Sequence, residues 1–265
     1  MNTARRELGE DALTTELRAR LEEVREKIDA SARRAGRDPA AVRLIAVSKT
    51  HPADLIARAI SAGVTDLGEN RVQEAEEKIA RLGGASGAGE RGERRARWHL
   101  IGHLQSNKAR RAVKLFDAVH TVDSPALVER LERLCEEEGR AELPVLAQLS
   151  IAGEATKAGA DARELPSIVE RAAACTRVRL VGLMTMPPYF EDAERVRPYF
   201  RALRERRDEW RARGAFAKLE GGTPASEGAG ELSMGMSHDF RVAVEEGATL
   251  VRVGTAIFGE RERRD

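Results

Sequence analysis

Short apolar runs alternate along the chain with longer charged segments whose apolar residues recur every three or four positions. Eight runs stand out: Val42–Lys49, Asp66–Asn70, Arg97–Leu104, Ala118–Val122, Pro144–Ile151, Val178–Thr185, Glu231–Ser237 and Thr249–Ala256. Their nearly continuous apolar character is that of strands covered on both faces. The stretches between them, Pro125 to Glu138 and Arg195 to Arg211 among them, carry helical spacing. A β-α order repeated eight times in 265 residues predicts a single (β/α)8 TIM barrel, with an open doubly wound sheet as the architectural alternative. A charged amphipathic helix, Leu13 to Ala35, precedes the first strand, and residues 1–265 are expected to form one domain. Two stretches leave the rhythm, Gly83 to Arg95 and Gly221 to Gly230, and read as solvent-exposed loops. The first is not a phosphate loop, because its "GGASGAG" follows a helix rather than a strand.

Charge and cysteine content narrow the function. With 45 basic and 44 acidic residues the net charge is +1, which excludes the one-sided field that nucleic acid or an anionic membrane would select. Cys135 and Cys175 lie among helix-type residues and read as buried thiols in a reducing compartment rather than a disulfide, so the cytoplasm is the expected location. No run approaches the roughly 18 apolar residues of a membrane span. The N-terminal residues lack the apolar centre of a signal peptide.

In a barrel, function gathers at the carboxyl ends of the strands. The first run feeds Leu44-Ile45-Ala46-Val47 into Lys49, the second ends in Glu69-Asn70, and the last two carry Ser233, Ser237 and Arg252 before Gly254-Thr255. A lysine beside glycine-rich, hydroxyl-bearing turns suits a phosphorylated carbonyl compound: the amine attacks the carbonyl, and exposed backbone N–H groups hold the phosphate. Each element also has a plainer reading. Lys49 could be a rim charge. Arg252, inside "LVRVG", needs an anion, either an internal carboxylate or a bound phosphate or cofactor ring. Ser237 is expected to cap a helix beginning near His238. His99 and His103 argue weakly for a metal, since "HLIGH" lacks the glutamate of a zincin helix and sits in a strand pattern.

Six ordered blocks, "AVSKT", "LGENRVQEAEEK", "WHLIGHLQSNK", "GLMTMPP", "LSMGMSHDF" and "VRVGTAIFG", resemble the YggS/PROSC family of pyridoxal 5′-phosphate homeostasis proteins, from Val42 to Gly259. The resemblance implies a fold type III barrel like the N-terminal domain of alanine racemase, without that enzyme's C-terminal β-domain. It makes Lys49 the Schiff-base residue and pyridoxal phosphate the cofactor, with Asn70, Ser233, Ser237, Arg252, Gly254 and Thr255 as further cofactor-binding candidates. It implies a carrier or buffer in cytosolic cofactor and amino-acid balance, monomeric, with cofactor-dependent apo-enzymes as partners and no nucleic acid or membrane. The alternative is a racemase or lyase acting on an unidentified amino acid. Such chemistry needs a second acid/base group across the cofactor. The chain offers only Tyr189 and Tyr199 as tyrosines, both in or beside the helix after the sixth run. Arg71 departs from the family pattern, where tyrosine is common, and the loop from Gly83 looks expanded.

Overall fold

The computed structural model describes residues 2–83, 96–151, 159–218 and 230–259, with side chains from residue 12 onward. Nine strands run β1 (Arg43–Val47), β2 (Asp66–Glu69), β3 (Arg97–Leu100), β4 (Ala118–Val122), β5 (Leu143–Ser150), β6 (Ala160–Asp161), β7 (Val178–Met184), β8 (Glu231–Ser233) and β9 (Leu250–Val253). All pairings are parallel, and β1 pairs with both β2 and β9 while β4 pairs with β5, so eight strands close into a barrel. The open-sheet alternative is thereby excluded. All eight apolar runs became barrel strands. The two-residue β6 is an addition that the sequence did not announce; it pairs with the tip of β5 at Leu149 and Ser150.

The helices between strands are α2 (Ala53–Ser61), α3 (Val72–Arg81), α4 (Ala109–Leu115), α5 (Pro125–Glu137), α6 (Leu165–Ala173), α7 (Arg197–Ala212) and α8 (Phe240–Glu245), and α9 (Thr255–Phe258) follows the last strand. Helix α1 (Asn2–Arg34) begins well before Leu13, because its charged first turns carry no apolar stripe to mark it. Leu17, Leu21, Val24, Ile28 and Ala32 form its buried stripe, and it lies against α2, α8 and α9. The stretches 83–95 and 221–230, expected as loops, fall outside the described residues except at Gly83 and Gly230. No helix among the described residues is long and apolar enough to cross a membrane.

Strand alternation sorts the residues into two layers. Residues such as Ala46, Leu67, Leu100, Val251 and Val253 join the large core between barrel and helices. Ile45, Leu146, Val181, Met184 and Leu250 form a separate small cluster inside the barrel. On β9 the alternation that turns Leu250 inward turns Arg252 inward too. Cys135 is buried and Cys175 half-buried, both free thiols, and burial pushes each up to about 11.

Candidate functional site

Lys49 lies just past the end of β1, after Ser48, and is half-buried. The residues on either side of it are held by one buried ammonium. Lys78 of α3, 6% exposed, donates to the Ser48 carbonyl oxygen at 2.7 Å, to Glu69 Oε1 at 2.6 Å and to Glu74 Oε1 at 2.7 Å. Ser48 Oγ donates to the same Glu69 oxygen at 2.6 Å. The Glu74 carboxylate accepts the N–H of Thr50, whose φ of 69° is left-handed. The peptide carrying Lys49 is thus fixed before and after the lysine. Burial raises the Glu69 carboxyl above the usual range although the Lys78 and Ser48 hydrogen bonds oppose it, and its Oε2 is buried with no hydrogen-bond partner among the described residues. Asn70 next to it is half-buried, and a Cβ on Gly102 would lie 2.3 Å from its carbonyl oxygen, so glycine there is what lets the ends of β2 and β3 converge.

On the other side of β1, Ala46 pairs with Val253. The chain then turns at Gly254, where a Cβ would sit 3.2 Å from the Val47 carbonyl oxygen. The Gly254 N–H donates to Ser237 Oγ at 3.1 Å, and Thr255 opens α9 with its side chain exposed. Ser237 therefore does not cap α8, contrary to expectation: Asp239 occupies that N-cap position and its carboxylate accepts the Met236 N–H at 2.6 Å. Ser237, Gly254 and Thr255 form an open polar rim beside the end of β1.

Ser233 is not part of that rim. It is fully buried inside the barrel, because β8 is only three residues long and places Ser233 level with Leu250. Arg252, 3% exposed, donates Nη1–H to Ser233 Oγ at 2.7 Å and Nη2–H to the Thr185 carbonyl oxygen at 3.0 Å. Among the described residues no carboxylate pairs with it, and burial pushes its guanidinium down to about 10 against the attraction of Asp239. Each terminal nitrogen keeps a second hydrogen for a further acceptor.

Ser233 Oγ also meets His120 Nδ1 at 2.9 Å, His120 Nε2 meets His99 Nδ1 at 3.0 Å, and His99 Nε2 meets Asp66 Oδ1 at 2.9 Å. Both nitrogens of His99 are thereby engaged inside the barrel, while His103 lies on the rim, 3.6 Å from Asp123. Lys78, Glu74, Ser48 and His120 were missed by sequence reasoning. "EAEEK" looks like a solvated helix face, and His120 hides in the run "AVHTV".

An amine near a strand end, a guanidinium that no carboxylate among the described residues pairs with, and a rim of N–H and hydroxyl groups match the donor set that an aldehyde, a ring nitrogen and a phosphate require. The closed parallel barrel places the chain in the class described as alanine racemase, N-terminal domain, whose family model matches residues 19–262. The chain is 41% identical over 245 residues to the pyridoxal phosphate homeostasis protein of Escherichia coli K12, covering 91% of this chain and 95% of that protein. It is 38% identical over 243 residues to the Aquifex aeolicus protein of the same name, covering 92% and 97%. Among solved structures, PipY of Synechococcus elongatus with pyridoxal phosphate bound matches with a TM-score of 0.73 at 37% identity, over 92% of this chain and 100% of PipY. The chain belongs to the family of pyridoxal phosphate homeostasis proteins.

Proposed function

We propose that this protein binds pyridoxal 5′-phosphate at the carboxyl mouth of the barrel, with Lys49 as the attachment point, and acts as a carrier or buffer of the cofactor. The observation that carries the reading is the adjacency of Lys49 and the Gly254–Thr255 turn, fixed by the pairing of Ala46 with Val253. When bound, the cofactor supplies an aldehyde that condenses with a lysine amine, releasing water, and a ring able to withdraw electrons. Ser237, Gly254 and Thr255 are assigned to the phosphate. Arg252 lies two residues below Gly254 on the inward face, which favours the ring nitrogen over the phosphate as its ligand. Asn70, at the end of β2 beside Lys49's strand, is assigned a polar contact to the cofactor or to Lys49.

Two features support carriage over turnover. A permanently charged donor at the ring nitrogen leaves that nitrogen unprotonated and weakens the ring as an electron sink. Tyr189 is 75% exposed and lies against His238, and Tyr199 lies against Phe190, so neither stands in a buried acid/base position. The reading extends to a cytoplasmic monomer that hands its cofactor to apo-enzymes, tested by sedimentation and by activation of a cofactor-free transaminase. Borohydride reduction of the loaded protein followed by peptide mapping tests the attachment: the label is expected on Lys49, and a label on Lys108 or Lys157 overturns it. The loaded protein in D2O with each amino acid tests the alternative. Deuterium incorporation at the α-carbon well above that with free cofactor would favour a racemase or lyase.

A further inference from the structure

Five side chains cross the barrel interior in one hydrogen-bonded line, from Asp66 at the start of β2 to Arg252 on β9. Asp66 is fully buried and takes Arg97 Nε at 3.0 Å and Thr65 Oγ1 at 2.8 Å besides His99. Burial alone would raise its carboxyl, but the His99 hydrogen bond and the charges of Arg97 and Arg43 hold it well below the usual carboxylate range. It is therefore an acceptor only, and His99 Nε2 carries the hydrogen between them.

The remaining hydrogens follow from valence. With its hydrogen on Nε2, neutral His99 accepts at Nδ1, so His120 donates from Nε2 and must itself accept at Nδ1. Ser233 then gives its only hydrogen to His120 and turns its lone pairs to Arg252. Every hydrogen from Asp66 through Ser233 has an acceptor in this arrangement. In the reverse one, with His99 carrying two hydrogens and His120 donating to Ser233, the fully buried Ser233 hydroxyl would have to place its own hydrogen where the described residues offer no acceptor. Burial, with the Arg252 guanidinium nearby, also pushes His120 well below the ordinary histidine range, in keeping with a neutral ring.

We propose that Asp66, His99 and His120 are positioning residues for Arg252: they make Ser233 an obligate acceptor and so lock one edge of the guanidinium, leaving its remaining N–H groups aimed at the cofactor. The proposal rests on the cofactor-binding reading above. None of the three residues is at the mouth, and they act only through Ser233. The Thr185 carbonyl locks the second terminal nitrogen. The site is thereby pre-organised by groups that run through the barrel interior as far as the start of β2, which lowers the cost of ordering Arg252 on binding.

Two measurements test this. Long-range proton–nitrogen spectra of the cofactor-free wild type are expected to show both His99 and His120 as neutral rings with hydrogen on Nε2; hydrogen on Nδ1 of His120 overturns the proposal, whatever the cofactor does. The second compares His120→Asn, which retains an acceptor near the Nδ1 position, with His120→Phe, which keeps a ring and no acceptor. Both are expected to lower the melting temperature of the cofactor-free protein. The Phe variant should release pyridoxal phosphate to an acceptor apo-enzyme about tenfold faster than wild type and the Asn variant within about threefold of it, the scale of one lost hydrogen bond. Equal release from both variants, fast or slow, overturns the role. If the wild type takes up no pyridoxal phosphate, the functional reading fails and the wild-type spectra alone decide. If the Phe variant does not fold, those spectra and the Asn variant decide.

Discussion

Lys78 Nζ donates to the carbonyl oxygen of Ser48 at 2.7 Å, so the residue immediately before Lys49 hangs on a buried ammonium contributed by another element. The same nitrogen compensates Glu69 and Glu74, and Glu74 in turn holds the Thr50 N–H. Replacing the cation with Lys78→Met leaves two carboxylates facing each other without it. The expected cost is about 3–5 kcal/mol, that of breaking a buried ion pair from one side. Thermal unfolding of the cofactor-free protein measures it. The visible absorption of the loaded variant should also fall, because the turn holding Lys49 loses its anchor at Ser48 and the cation that fixes Glu74 against Thr50; unchanged stability and loading would show the cluster to be incidental.

A smaller change tests the turn on the other flank. Gly254 has an ordinary negative φ of −115°, so Gly254→Ala introduces no backbone strain, only a methyl 3.2 Å from the Val47 carbonyl oxygen. The turn must shift by a few tenths of an ångström to accept it. Stability is expected to change by less than about 1 kcal/mol, while affinity for pyridoxal phosphate drops about tenfold as the N–H groups leave their positions. Equilibrium titration of both proteins checks this, and an unchanged affinity would remove Gly254 from the phosphate rim.

If Ser237, Gly254 and Thr255 do hold the phosphate, the dephosphorylated compound pyridoxal should bind at least about tenfold more weakly, since each charge-assisted hydrogen bond contributes roughly 1.5–3 kcal/mol. Equal affinities in parallel titrations would sink the rim.

How far the sequence carried this picture depends on which way each residue faces. The strands were legible because a barrel wall is covered on both sides and reads as apolar runs, and Lys49 was legible because it ends such a run. Ser233 and Ser237 were read together at the end of one run, Glu231–Ser237, yet the first closes β8 inside the barrel and the second faces Gly254. Lys78 was invisible, since helical spacing in "EAEEK" does not say that α3 lays its cation against the end of β1. His120 was invisible for a related reason. One polar residue in "AVHTV" does not reveal that its partners lie 21 and 113 residues away.

Arg252→Gln removes the charge while keeping donors. Release of pyridoxal phosphate to an acceptor apo-enzyme should quicken by about ten- to a hundredfold, corresponding to roughly 1.5–3 kcal/mol of charged hydrogen bonding. Attachment to Lys49 at saturating cofactor should persist, since the amine is supplied by a different strand. A variant that releases no faster but melts lower would make Arg252 a structural residue only.

The buried histidine gives a pH test that needs no cofactor. His120 is held well below its ordinary value in the folded state. Its unfolded counterpart titrates near about 6.5. As pH falls below that value the unfolded chain gains a proton that the folded chain refuses, so stability must fall, with a limiting slope of about 1.4 kcal/mol per pH unit, until the depressed folded value is reached. Glu69 acts with the opposite sign, because a raised carboxyl binds its proton more readily in the folded state, but it does so equally in a protein lacking His120. Asp66, depressed, keeps its contribution until the pH drops below about 3.9, outside the window. Urea unfolding of wild type and His120→Asn between pH 7 and 5 isolates the histidine. The wild type should lose stability more steeply by about 1 kcal/mol per pH unit at the acid end, and parallel curves would mean that His120 takes up its proton inside the fold and that the neutral line from Ser233 to Asp66 is not how the barrel interior is wired.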